Sequence, residues 1–376
     1  MSDMSKVKIG ILTFHRTSNF GSTLQAEALC EEIKQMGYKC MLIDYRCKIV
    51  ESREHIRFQL QKLKSVRGIK EISCMPYSLR RYKSFLEFYK RRDIEFSKSL
   101  SRSQMAEANT FCDIVLVGSD LVWSIDITQN DKTFLLDFAD DNKPKISYGS
   151  SIGDLDRIDI DCFSKSIRRL KYVNVREQDA TEWINGSVGI KARHVCDPTM
   201  FFCSDEWDRI ISDVRLTIKI PDKYVLIYFY DDNRKAIKDA KNYATKHNLK
   251  VILINLKARK IQGVENIRPV TLKDFIELIK KAEYIFTASY HGLLFSLYYN
   301  KPFVFYSRSH STRMTSIAQK LGVSGRCADE QTYEGFEQEI DYEHVNELIS
   351  NFRKHSRDIL RESIENCIGN RHDGNK

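Results

Sequence analysis

His291 stands in TASYHGLLFSLYYNKPFVFY, where an apolar strand gives way to a helix. An imidazole at such a junction can exchange a proton near neutral pH, whereas a histidine on an apolar face serves only packing. Gly292 follows it, and Ser307, Arg308 and Arg313 come after the next strand, adding positive charge to the same rim. Arg176, in VREQ, ends another strand. A guanidinium there is shaped to grip a carboxylate or phosphate through two parallel hydrogen bonds, or else to pair with its neighbour Glu177. In GSDLVW, Asp120 can accept a hydrogen bond from a sugar hydroxyl, with Gly118 and Ser119 before it and Trp123 as a stacking surface. The alternative is a helix N-cap at Asp120 and an indole in the core. HRTSNFGSTLQ carries His15, Arg16, Asn19, Gly21 and Ser22 into a helix. Its first turn offers amides to an anion or a sugar hydroxyl, unless Gly21 and a cap at Ser22 serve the turn alone. The turn lacks the GxGxxG spacing of a dinucleotide site.

All of these residues follow expected strands. Val7 to Phe14 reads as a strand, Ser22 to Met36 as a helix closed by Gly37, and Lys39 to Asp44 as a second strand, a βαβ unit. Strands follow near Ile114 to Val117, Lys145 to Tyr148, Tyr172 to Val175 and Arg193 to Val195. A fresh alternation starts at Tyr224 to Tyr230, after Pro221. Strand Val251 to Asn255, helix Thr271 to Lys281, strand Tyr284 to Thr287, helix His291 to Tyr299 and strand Pro302 to Tyr306 make a second α/β unit. The fold class is therefore α/β with parallel sheets. The expected domains are 1–210, with a basic helical insertion at about 46–95, then 211–340, and a final helix within 341–376 that packs back on the first. In open parallel sheets the ligand crevice lies outside the carboxyl ends of the strands, where these residues fall.

The composition is that of a globular protein. Hydrophobic residues make up 42% and charged residues 30% of the 376, with 16 Gly and 6 Pro, which excludes disordered and collagen-like chains. The ten cysteines, Cys30, Cys40, Cys47, Cys74, Cys112, Cys162, Cys196, Cys203, Cys327 and Cys367, form no CxxC pair or Cys/His cluster, so no metal site is expected. MSDMSKVKIGILTF reads as a short polar stretch running into an apolar strand rather than as a secretory signal, and no run reaches the roughly 18 apolar residues of a membrane span. A cytoplasmic protein with free thiols is the expectation.

The net charge of +9 is concentrated. Residues 46–92 hold 14 Lys/Arg and 4 Asp/Glu, a balance of +10, which leaves about −1 for the rest of the chain. Ile56, Phe58, Leu60, Leu63 and Val66, then Tyr82, Phe85, Leu86 and Tyr89, recur among these bases at helical spacing. This suits contact with an anionic membrane or a pyrophosphate-linked lipid acceptor, or simply a solvated helical insertion. No nucleic acid partner is expected, since no recognition module accompanies the bases.

Taken together, NFGSTLQAEAL (Asn19 to Leu29), GSDLVW, ISYGSSIG (Ile146 to Gly153), VREQ, CDPT (Cys196 to Thr199) and SYHG followed by NKPF resemble the polysaccharide pyruvyl transferase family, in its order, over about residues 7 to 325. The resemblance implies two Rossmann-like domains facing a cleft, as in GT-B glycosyltransferases, and transfer of pyruvate from phosphoenolpyruvate onto a sugar as a ketal. It implies no cofactor beyond that donor substrate, and an acceptor in a cell-surface polysaccharide or its undecaprenyl-pyrophosphate-linked precursor, handled in the cytoplasm or at the inner face of its membrane. His291 matches the family's histidine and Arg176 its donor-binding arginine. This chain has Ser289 where some members carry arginine, leaving Arg308 and Arg313 to hold the donor's second anionic end. Asp120, or the loop of Asn19 and Gly21, would position the acceptor hydroxyls, with Ser119 lining the same place. A GT-B-type glycosyltransferase using a nucleotide sugar and a noncatalytic scaffold of polysaccharide assembly are the alternative functions.

Overall fold

The computed structural model describes residues 7–54, 75–229, 233–256, 260–307, 312–329 and 336–373. The chain forms two compact units. Unit 1 comprises Met1–Arg53, Tyr89–Phe201 and Ser350–Lys376, and unit 2 comprises Glu54–Phe88 and Phe202–Ile349. The helices needed below are α1 (Phe20–Gln35), α2 (Met75–Arg91), α3 (Tyr290–Tyr298), α4 (Arg313–Lys320) and α5 (Tyr342–Asp373).

In unit 1, β1 (Lys8–Leu12), β2 (Lys39–Leu42), β3 (Glu95–Phe96), β4 (Ile114–Val117) and β5 (Lys145–Ser147) pair in the order β3-β2-β1-β4-β5, all parallel. Every side chain of β4, IVLV, is buried, as a strand covered on both faces requires. Two further parallel strands, β6 (Val173–Val175) and β7 (Ala192–His194), are joined to the β5 segment by the bridges Ile146↔Tyr172 and Ser150↔Val175. Helix α1 starts at Asn19, whose side chain caps it. It stops at Gly37, where φ is +91° and the amides of Gly37 and Tyr38 bond back to Lys34 and Ile33. The part of α5 from Ser350 onward is stitched into the same unit. The Ser356 hydroxyl accepts from the Cys196 amide at 2.9 Å, Ser363 from Asn174 at 3.1 Å, and Arg357 donates to Glu32 at 3.0 Å.

Unit 2 repeats the topology. Its strands β8 (Tyr224–Tyr228), β9 (Lys250–Ile254), β10 (Glu265–Ile267), β11 (Tyr284–Thr287) and β12 (Phe303–Phe305) run parallel in the order β10-β9-β8-β11-β12. One face packs Val225, Ile227, Phe286 and Val304 against Ala236, Ala240 and Ala244 of the 234–246 helix. In each sheet the winding reverses beside its first strand, between β1 and β4 and between β8 and β11. Such a reversal opens a crevice at the carboxyl ends of the two strands.

Each expected strand limit falls within two residues of the observed one, the largest differences being the ends of the first and second strands and of the one starting at Tyr224. Strands β3 and β10 have no counterpart in the sequence reading: β3 is only the two residues EF, and ENI of β10 is mostly polar. Ile56, Phe58, Leu60, Leu63 and Val66 lie outside the described residues. Tyr82, Phe85, Leu86 and Tyr89 fall on α2, where Phe85 and Tyr89 are buried and Leu86 is exposed. Among the described residues no helix is long and apolar enough to cross a membrane.

Candidate active site

At the crevice of unit 1 the backbone leaves β4 through Gly118. Its φ of +122° and the position of the Tyr148 carbonyl oxygen, 2.2 Å from where a Cβ would sit, admit only glycine. Asp120 follows with φ +76°. Its Oδ2 accepts from Ser22 Oγ at 2.6 Å and its Oδ1 from the Leu121 amide at 2.9 Å, so the carboxylate ties the first turn of α1 to the end of β4. No helix begins at Asp120. Ser119 is wholly buried. Its hydroxyl donates to the Gly149 carbonyl at 2.8 Å and its amide to Gln25 Oε1 at 3.1 Å. Asn19 Oδ1 accepts from the amides of Gly21 at 2.9 Å and Ser22 at 3.4 Å, so the cap is Asn19 rather than Ser22.

The Arg176 side chain is 1% exposed and enclosed by acids. Its Nη1 donates to Asp197 Oδ2 at 2.7 Å and its Nε to Glu177 Oε1 at 3.2 Å, while Nη2 lies 3.9 Å from Asp120 Oδ1. Asp197 is held in turn by the amide and hydroxyl of Thr199, at 2.9 and 2.7 Å. The CDPT motif thus supplies a buried carboxylate to Arg176, and three acids surround one guanidinium. The pair with Glu177 that the sequence left open is present.

Trp123 belongs to the core. Its Nε1 donates to the Phe134 carbonyl at 2.8 Å and its ring meets Phe163 edge-on at 5.4 Å, which withdraws it as a stacking surface. His15 and Arg16 are bound to Asp44, a residue the sequence reading passed over. His15 Nε2 lies 2.9 Å from Oδ1 and Arg16 Nη2 2.5 Å from Oδ2. Burial pushes the Asp44 carboxyl up, but the hydrogen bonds from His15 and Arg16 outweigh it and hold the group well below the usual carboxylate range. Asp44 closely follows β2, so the strand-end rule would have found it.

In unit 2 the corresponding strand, β11, ends at Thr287. The Thr287 hydroxyl donates to the Tyr228 carbonyl at 2.8 Å and accepts the Ser289 amide at 3.0 Å, knitting the ends of β8 and β11 together. Ser289 is the N-cap of α3, its Oγ accepting from the Gly292 amide at 3.4 Å. A Cβ on Gly292 would sit 2.3 Å from Thr287 Oγ1, so only glycine lets α3 lie this close to the strand. His291 occupies the first turn of α3, 7% exposed, its ring edge-on to Tyr290 at 5.5 Å. Arg313, opening α4, places its guanidinium 6.0 Å from the centre of the Tyr290 ring. Ser307 donates to Asp329 through both its amide and its hydroxyl, each at 2.7 Å. Arg308 lies outside the described residues.

The structure therefore gathers Asn19, Gly21, Ser119, Asp120 and Arg176 at one crevice of unit 1, and Ser289, His291 and Arg313 near the crevice of unit 2. Among the described residues no three His, Cys, Asp or Glu side chains are grouped as a metal ion would require.

Two parallel α/β sheets of this winding define a GT-B-like fold, and solved structures share it. UDP-GlcNAc 2-epimerase from Neisseria meningitidis bound to UDP-GlcNAc superposes with a TM-score of 0.53 at 10% identity, over 96% of this chain and 99% of that one. S. aureus MnaA with UDP gives 0.50 at 14% identity, over 93% and 90%. At such identities the likeness is one of fold. The chain itself belongs to the polysaccharide pyruvyl transferase family, which it matches over residues 19–310. No curated protein matches it.

Proposed function

We propose that this chain transfers pyruvate from phosphoenolpyruvate to two neighbouring hydroxyls of a sugar, forming a ketal on a cell-surface polysaccharide or its lipid-linked, undecaprenyl-pyrophosphate precursor. The observation that carries the reading is the family match across both crevices, from Asn19 in α1's cap to the residues after β12. A cytoplasmic reaction suits this donor.

The donor carries two or three negative charges, and the cationic side of the proposed machinery lies in unit 2. There the positively polarised start of α3 and the Arg313 guanidinium would receive its phosphate and carboxylate. His291 would protonate the methylene carbon, generating an oxocarbenium-like centre at C2. One sugar hydroxyl adds there, its proton passing to a base, and the second hydroxyl displaces phosphate and closes the ketal, its proton leaving with phosphate. Asp120 is the base assigned to the acceptor, oriented by Ser22. Arg176 enters as the cation that keeps Asp120, Glu177 and Asp197 together rather than as the donor's grip, since Asp197 and Glu177 already neutralise it.

Mass spectrometry of lipid-linked oligosaccharides after incubation with phosphoenolpyruvate tests this reading. A gain matching one ketal-linked pyruvate is expected, with one phosphate released per pyruvate. Thermal stabilisation by UDP- or GDP-sugars, without phosphate release or response to phosphoenolpyruvate, would replace it with nucleotide-sugar transfer.

A further inference from the structure

Helix α2 buries one face and leaves the other unusually dressed. Phe85, Phe88 and Tyr89 point inward, while Leu79 is 44% and Leu86 42% exposed. Among the described residues five large hydrophobic side chains are exposed, and three of them, Tyr77, Leu79 and Leu86, lie on this helix; the other two, Ile160 and Leu216, stand apart in sequence. Arg268 covers Tyr77, its guanidinium 4.6 Å from the ring centre, which leaves the two leucines as the uncovered pair.

At 3.6 residues per turn, Leu79, Lys83, Leu86 and Lys90 fall within an arc of about 60°. The two lysines are exposed and interleave with the leucines; on one side of the arc lie exposed Glu87 and, beyond it, exposed Arg80 and Arg91. From Met75 to Arg91 the helix carries five Lys/Arg against one Glu, inside the segment that holds the whole positive excess of the chain. Exposed leucines among lysines lose free energy in water and gain it at a surface that is apolar beneath and anionic above. A protein partner would need a groove with acids spaced to match, whereas a leaflet of acidic lipids supplies both features over any area.

We infer that the exposed face of α2 docks on an anionic lipid surface, inserting Leu79 and Leu86 below headgroups that pair with Lys83 and Lys90. The inference is independent of the reaction proposed above.

Flotation with vesicles tests it. The full chain is expected to float with vesicles containing phosphatidylglycerol and to remain behind with pure phosphatidylcholine, and 0.5 M salt, an illustrative concentration about threefold above physiological, should release most of it. The double variant Leu79→Ser/Leu86→Ser should lose about tenfold in binding, and Lys83→Glu/Lys90→Glu at least as much, with thermal midpoints unchanged because these side chains are exposed. Equal binding to neutral vesicles, or undiminished binding by both variants, would overturn the inference. So would a concentration-dependent dimer that the leucine variant abolishes in the absence of vesicle binding, which would assign the face to a second copy of the chain. Because none of these residues lies in either crevice, turnover of a soluble acceptor should stay at the wild-type rate in both variants.

Discussion

Units 1 and 2 share one strand order and each needs a glycine beyond its switch-point strand, Gly118 directly after β4 and Gly292 within α3 after β11, yet their interiors are charged very differently. Unit 1 buries Glu27, Glu32, Asp44, Glu51, Asp120, Glu177 and Asp197 with His15, Lys145 and Arg176; unit 2 buries Asp274, His291, Arg81 and Arg326. The same scaffold carries an acid-rich crevice in one copy and a crevice with imidazole and a nearby guanidinium in the other. Backbone geometry is thus common property, while the side chains after two equivalent strands differ: buried acids in one unit, an imidazole and a guanidinium in the other.

The sharpest way to break this contrast is at His291. His291→Ala should lower turnover about a hundredfold to ten-thousandfold while phosphoenolpyruvate still raises the thermal midpoint. Turnover within a few-fold of wild type would remove unit 2 from the chemistry. Next in size, Asp197→Ala should destabilise the protein by about 3 kcal/mol in denaturant titration, because it strips a partner from a guanidinium that has no access to water. An unchanged midpoint would mean the acids of unit 1 are not a coupled set. Arg313→Ala should raise the KM for phosphoenolpyruvate about tenfold with little change in kcat, the loss of one charge-assisted contact. A matching rise on replacing Arg176 by Lys instead would return the donor to unit 1.

The smallest effect, taken per pH unit, is one of titration. Burial lifts Glu27 from 4.5 to about 7 despite its 2.6 Å bond from Arg92. A folded value above the unfolded one means that its contribution is fully present below 4.5 and is lost as pH rises through about 7. Stability should fall by about 1 kcal/mol per pH unit across that window, and Glu27→Gln should flatten the slope in urea titrations at several pH values. Asp44, held low, acts in the opposite sense: its contribution is present above the ordinary carboxylate value and disappears on further acidification.

Strands buried on both faces were legible as apolar runs, and the residues just beyond them as candidates. Ile114–Val117 and Tyr284–Thr287 coincide with their expected limits. What local pattern could not supply were partners distant in the chain. Nothing near Arg176 in sequence announces Asp197, and nothing near His15 announces Asp44, since each pair is created by strands brought side by side. Trp123 was ambiguous for the same reason, because only Phe163 and the Phe134 carbonyl decide its side. The Asn19 cap was visible as a residue but not as a role, since Asn and Ser cap equally well and the first turn contains both.

Unit 1 is closed by residues made late. Cys196, Asn174 and Glu32 find Ser356, Ser363 and Arg357 only after Ser350–Cys367 has been synthesised, whereas Phe202–Ile349 is already complete by then. On the ribosome all of unit 2 is therefore made before the tail that completes unit 1, so the last contacts of the amino-terminal half wait for the final stretch of the chain.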